Sequence, residues 1–260
     1  MTESDSRLAG GSVGIRPALG DAMDSAAITL SIRRMDGAVD EVRDRSSALL
    51  DLRSAAPWRT FRWYRGQRHY AGTYWSATAQ SHVLYESRLE LARLLFADFD
   101  SSVHGIVAQP FLLTAVVDGK VRKHVPDYFL NTERGPVVVD VKPRRRLADP
   151  EVASTFAWTR QVLTELQWHY EVWSEPPAVE LENIRFLAGF RRERLFAPDL
   201  LDELRGIDLE GVPIGTAAVR LPERPQPCVR AAVHHLLWRR ELATDLTDPL
   251  RPSSVLRRTA

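Results

Sequence analysis

The sequence predicts an α/β protein. Three features carry this: helical three-to-four spacing of apolar residues over residues 82–99, period-two and continuous apolar runs over residues 106–142, and a second helical stretch at 150–166 followed by a short strand at 169–173. Helix, antiparallel meander, helix, strand is an α/β order.

Taken in order, residues 27–34 and 38–42 are apolar-polar alternations on either side of Met35-Asp36-Gly37, whose Asp-Gly pair is turn chemistry, so they predict a hairpin. In residues 82–99, Leu84, Leu91 and Leu95 form one stripe with Leu89, Ala92 and Phe96 beside it, while Glu86, Glu90 and Arg93 share another face. Three strands are expected at 106–117, 121–130 and 137–142. Asp118-Gly119 closes the first pair tightly, and a longer Gly-containing turn at 131–136 closes the second. A further segment lies at 183–188. Pro-rich residues 213–227 read as a linker, and 228–260 as a small helical or winged-helix-like module with a helix at 228–240 and a short strand at 254–256. The expected organisation is thus a leader at 1–26 with the composition of a disordered segment, a β-rich extension at 27–80, a core at 81–212, the linker and the C-terminal module.

Composition narrows the class. A hydrophobic content of 44% fills a real core, and the single cysteine, Cys228, excludes an internal disulfide and a cysteine-rich zinc cluster. A reducing, bacterial-type cytoplasm is the expected home, with no signal sequence and no membrane span. The net charge of +1 predicts no nucleic-acid partner by itself. Of 35 basic residues, however, all but Lys120, Lys123 and Lys142 are arginine, so each surviving lysine is a candidate for a role that a compact, titratable ammonium fills and a guanidinium does not.

One of those lysines sits in a chemical pattern. Pro126-Asp127 ends the middle strand and Asp140-Val141-Lys142 closes the next. Strand alternation points Asp140 and Lys142 to one side, with Val139 and Val141 facing an apolar layer. A hairpin between 126 and 142 brings Asp127 beside Asp140, and like carboxylates held that close are costly unless a cation lies between them. Oxygen ligands select a hard ion, magnesium or manganese, which polarises a phosphate and acidifies bound water. Lys142 would then hold the attacking water and offset charge on phosphorus, and Glu86, on the inward edge of the helix, would bind the metal directly or through water. The expected chemistry is phosphodiester hydrolysis in DNA. The bland alternative is a turn aspartate plus an edge-strand Asp-Lys pair that deters aggregation; the joint pattern of helical Glu, Pro-Asp and DxK favours the site.

These residues also carry a resemblance. Tyr85-Glu86-Ser87-Arg88-Leu89-Glu90, Gln109-Pro110-Phe111, His124-Val125-Pro126-Asp127-Tyr128 and Val139-Asp140-Val141-Lys142 resemble the TnsA-like endonuclease subunits of heteromeric cut-and-paste transposases, within the PD-(D/E)xK nucleases, and residues 183–192 (NIRFLAGFRR) are similar to a later block of that family. The resemblance covers residues 80–195 and, more loosely, the C-terminal module. It implies a restriction-endonuclease-like core (a mixed sheet flanked by helices), magnesium dependence, cleavage of one strand at each transposon end, and partners in a transposase subunit and an ATPase regulator. It assigns catalysis to Glu86, Asp127, Asp140 and Lys142. Family members vary at the position of Asp140, where Glu or Gln also occurs.

Around the site, Arg144, Arg145 and Arg146 follow Pro143 as either phosphate-gripping side chains or a solvated charge run. His124 either reaches the scissile phosphate or is a hydrogen-bonded structural residue, and Gln109 either supports the site or satisfies backbone beside Pro110. Residues 58–75 interleave aromatics with arginines, which suits distorted DNA or an aromatic face packed on the core. The seven histidines have no zinc spacing, and no glycine-rich phosphate loop is present. A free-standing restriction, repair or anti-phage nuclease, and a DNA-binding adaptor without activity, stay open as alternatives.

Overall fold

The computed structural model describes residues 28–42, 52, 54–59 and 70–259, and the expected leader lies outside them. The chain is mixed α/β, with six helices among the described residues. The first hairpin forms as expected from β1 (Thr29–Arg33) and β2 (Val39–Val42), with Gly37 at φ 89° in its turn. A second hairpin, β3 (Gly72–Ser76) and β4 (Ser81–Tyr85), precedes helix α1 (Arg88–Phe99).

The helix expected over 82–99 is therefore shorter, because residues 82–85 belong to β4. Ser87 starts it: its hydroxyl accepts from the Glu90 amide at 3.1 Å, while the Glu90 carboxylate accepts from the Glu86 amide at 2.7 Å and the Ser87 hydroxyl at 2.9 Å. That reciprocal arrangement satisfies donors left over at a helix start. Glu86 thus sits at the strand-to-helix junction and not on the helix. The hairpin is clamped to α1 by buried Asp98, which accepts from the Tyr74 hydroxyl at 2.7 Å, the Ser76 hydroxyl at 2.6 Å and the amides of Ala77 and Thr78 at 3.0 and 2.7 Å.

The two long strands expected at 106–117 and 121–130 are each divided. β5 (Val103–Ala108) and β8 (Tyr128–Thr132) pair with each other, and so do β6 (Leu112–Val117) and β7 (Lys120–His124), which meet at Asp118-Gly119 with φ 51° and 69°. Positive φ at both central residues is the turn that matches strand twist. The breaks fall at Gln109-Pro110, where Gln109 adopts φ 47°, and at Pro126, which has no N–H to give a ladder. The result is one long hairpin bent at its middle, with its base in one sheet and its tip in another.

The base sheet has the order β10-β9-β8-β5. β9 (Gly135–Val141) is antiparallel to β8, the chain crosses over through helix α2 (Pro150–Glu165), and β10 (His169–Trp173) returns parallel to β9 with Val172 opposite Asp140. A parallel partner requires such a crossover. The tip sheet has the order β2-β1-β6-β7. One apolar cluster joins Val138 and Phe129 to Trp158, Val162 and Leu163 of α2 and to Leu30, Ile32, Leu113 and Ala115 of the tip sheet. The other joins Val139 and Val141 to Leu94, Leu95 and Phe99 of α1 and to Ile184 and Leu187 of helix α3 (Ala178–Leu187).

That second cluster reaches the end of the chain. After helix α4 (Pro198–Gly206) and the short helix α5 (Ile214–Ala217), it includes Val229, Val233 and Trp238 of helix α6 (Gln226–Trp238), Leu242 and Leu256. Within 213–227, expected as a linker, Ile214 and Ala217 are buried. The strand expected at 254–256 is replaced by a single bridge from Pro213 to Val255 and by pairing of β11 (Leu242–Ala243) with β12 (Arg257–Arg258).

Candidate active site

Asp127 lies one step beyond the pair Tyr128 and Val139, opposite Asp140, as the sequence predicts. Its amide donates to the Val139 carbonyl at 3.1 Å, and its own carbonyl accepts from the Gln109 amide at 2.8 Å. Its carboxylate Oδ2 accepts from the Val141 amide at 2.6 Å. The bend in the long hairpin therefore delivers Asp127 to the end of β9. Its removal from water, with Asp140 and then Glu90 close by, holds its carboxyl well above the usual carboxylate range, against the pull of the Val141 amide and Lys142.

Asp140 is 2% exposed and fully engaged. Both of its oxygens lie 2.9 and 2.8 Å from His124 Nε2, and Oδ2 accepts from the Tyr170 hydroxyl at 2.5 Å. His124 packs edge-on to Trp158, 6.1 Å between centroids. Burial, followed by the Asp140 charge, pushes the Tyr170 hydroxyl far up, so that it remains a donor. Lys142 follows β9, its amide bonded to the Trp173 carbonyl at 2.9 Å, and its charge lowers both Asp127 and Glu90.

Glu86 closes the group from the β4–α1 junction. Its Oε1 accepts from the Gln109 carboxamide, and Gln109 Oε1 in turn accepts from the Arg59 amide at 2.9 Å. Gln109 is 6% exposed, and its carbonyl also accepts from the Trp58 amide at 3.1 Å. Gln109 thus satisfies backbone amides and hydrogen-bonds the Glu86 carboxylate. If Glu86 ligates a metal in a working active site, Gln109→Ala should lower activity about 10-fold without abolishing it, the scale typical of losing an outer support of a metal ligand. It should cost about 1–2 kcal/mol through the orphaned Arg59 amide. Cleavage rate and thermal melting of the variant check both.

Sequence reasoning left two members out. Glu90 is the acidic group nearest in effect to Asp127 after Asp140; burial first, with Glu86 adding, raises its carboxyl. Its signal was present in the four-residue spacing from Glu86 and in Ser87-x-x-Glu90. Tyr170 had no local signal, because its reach to Asp140 depends on the parallel register.

Of the expected DNA contacts, Arg144–Arg146 form an exposed 3-10 turn after Pro143. The Arg144 amide donates to Glu175 Oε2 at 2.9 Å, and Arg146 pairs with Asp149 at 3.2 Å. Most of the aromatic-arginine stretch at 58–75 lies outside the described residues. Tyr74 packs inward and Trp75 lies half-buried on the opposite face of β3, with the Arg191 guanidinium 4.7 Å from the Tyr74 ring and Arg192 4.7 Å from Trp75.

The donor set fits a hard divalent cation in its chemistry: carboxylate oxygens gathered where Asp127 is held above the usual carboxylate range, by removal from water first and then by Asp140 and Glu90. No group of three His, Cys, Asp or Glu is disposed to hold a metal among the described residues. Magnesium needs only one or two carboxylates, with waters and substrate phosphate completing its shell. Asp127, whose Oδ1 accepts no hydrogen bond among the described residues, and Glu86 Oε2 are the atoms placed to serve it.

The chain matches no protein-family profile and no curated protein. Among the described residues, no helix is long and apolar enough to cross a membrane.

Proposed function

We propose that the chain is a magnesium-dependent endonuclease that hydrolyses phosphodiester bonds in DNA, and that it serves as the strand-cleaving subunit of a heteromeric cut-and-paste transposase in the bacterial cytoplasm. The observation that carries the hydrolase reading is the meeting of Asp127, Asp140 and Glu90 with Lys142 at one end of the sheet, where Asp127 is held above the ordinary carboxylate range. The transposase reading is supported by the motif resemblance over residues 80–195, and by the order of α1, an antiparallel meander, a crossover helix and a parallel strand.

Glu86 and Asp127 would hold the cation, with Gln109 fixing Glu86, whereas Asp140, expected as a third ligand, has its oxygens engaged by His124 and Tyr170 and would stand beside the cation. Magnesium, or manganese in its place, supplies Lewis-acid polarisation of the phosphate and acidification of water when bound. Lys142 holds the attacking water and neutralises charge as the new bond to phosphorus forms and the ester P–O bond breaks. Arg145, for which the described residues provide no ion pair, and its neighbours Arg144 and Arg146 grip flanking phosphate.

The experiment is cleavage of supercoiled plasmid carrying the element's ends in magnesium, by the full-length protein alone and with the products of neighbouring genes. Weak nicking alone and site-specific cleavage with a transposase and ATPase are expected. Rapid, site-specific double-strand cleavage by the protein alone would move the assignment to a free-standing nuclease. Absence of cleavage under every condition would reject the nuclease.

A further inference from the structure

Two of the three lysines in this arginine-dominated chain lie on β7, whose sequence is KVRKH. β7 is the edge strand of the tip sheet. Lys120, Arg122 and Lys123 are all exposed, and no carboxylate pairs with any of them among the described residues. Alternation puts Lys120, Arg122 and His124 in one row and Lys123 on the opposite face. The row ends at the chemistry, because His124 Nε2 lies 2.8 Å from Asp140. Successive members of the row are spaced by about 6.6–6.8 Å, two strand residues. Because the rise of about 3.4 Å per nucleotide runs along the duplex axis while the backbone winds around it, neighbouring phosphates of one strand lie farther apart than that, on the scale of this spacing.

We propose that β7 is the track on which the backbone of the cleaved DNA strand lies. Lys120 and Arg122 hold neighbouring phosphates, Lys123 contacts the backbone from the other side, and His124 stands where the strand enters the carboxylate group. Compact ammonium groups suit this task, since a point charge grips phosphate without reading a base edge. The bend at Gln109 and Pro126 is what aims the track at Asp127 and Asp140. The inference rests on the nuclease reading above and adds the path of its substrate. The competing role for edge cations is to deter strand addition by another chain.

The test compares full-length Lys120→Gln/Arg122→Gln/Lys123→Gln with the parent and with a charge-matched control, Arg134→Gln/Arg194→Gln/Arg220→Gln, drawn from exposed arginines elsewhere. Binding to a fluorescent DNA duplex is read by anisotropy in calcium over a range of salt, with circular dichroism to check folding. The β7 variant should lose at least tenfold in affinity, and the slope of log K against log salt should fall by about 2.7, roughly 0.9 for each phosphate no longer neutralised. The control should change the slope by less than about 1. An unaltered slope in the β7 variant, or an equal loss in the control, overturns the proposal. So does intact DNA binding accompanied by new self-association, which would make these residues guards of the sheet edge. Plasmid cleavage in magnesium is read in parallel, so a parent that cuts while the β7 variant binds normally leaves the nuclease standing and removes only the track. A parent that binds no DNA removes both.

Discussion

Asparagine in place of Asp127 is expected to abolish DNA cleavage and, at the same time, to raise the melting temperature of the metal-free protein. The carboxyl of Asp127 is pushed up by removal from water, then by Asp140 and Glu90. A carboxyl whose folded-state pKa exceeds its unfolded value contributes stability that is fully present below the unfolded pKa, near 3.9, and is lost as pH rises through the folded value. Once ionised, the group therefore weighs against the fold. The asparagine side chain carries no charge and keeps an oxygen for the Val141 amide, which the carboxylate now meets at 2.6 Å. The gain should be at least about 1 kcal/mol at pH 8, or roughly 2–4 °C for a chain of this size, and should vanish near pH 4. Magnesium should raise the melting temperature of the parent and leave the variant unmoved. Cleavage should fall by about three orders of magnitude, the scale of losing a charge-stabilising group at a reacting centre. Calorimetry at both pH values, with and without magnesium, together with plasmid cleavage, checks the set. A stabilisation that is the same at both pH values, or cleavage that survives, refutes it.

The second large effect is expected at Lys142. Arginine there keeps the positive charge that lowers Asp127 and Glu90, so folding and DNA binding should be little changed. Its guanidinium is a planar, permanently protonated fork, which cannot take the place of a compact ammonium beside an attacking water. Activity should fall by two orders of magnitude or more, the contribution of a positioned proton-transfer group. Lys142→Met should fall at least as far, and should also weaken DNA binding. Single-turnover cleavage at saturating protein separates chemistry from binding. An arginine variant that cuts as fast as the parent would reduce Lys142 to a phosphate-binding cation.

The parts of the fold legible in the sequence are those specified by near neighbours. Asp118-Gly119 and Met35-Asp36-Gly37 are turns by their own chemistry, and β10 and α2 follow from local periodicity and from Asp149-Pro150, which caps and opens the helix. The division of the long strands is not legible, because the apolar run continues through Gln109 and Pro126 while the pairing partner changes from one sheet to the other. Leu84 suits both a strand and a helical stripe, so periodicity alone starts the helix too early, which places Glu86 on α1 and keeps Glu90 out of the site. Prolines at 213, 222, 225 and 227 read as a linker although Pro also opens helices, as Pro213 does for α5. Asp127, Asp140 and Lys142 are legible because a single hairpin register brings them together. Tyr170 is beyond reach because only the parallel pairing of β10 with β9 carries it to Asp140.

The packing of the C-terminal helix against α1 bears on how a distant change reaches the acidic group. Phe99 at the end of α1 packs on Trp238, with centroids 5.3 Å apart, and Glu90 sits in its first turn. Nine residue steps of helix lead from Glu90 to Phe99, about 14 Å of a rod that bends little. α1 is thus one stiff element that carries the Phe99–Trp238 contact at one end and, at the other, the capped junction that holds Glu86 and Glu90. Loss of the Trp238 ring would therefore be expected to loosen the far end of the same helix that begins at the carboxylates.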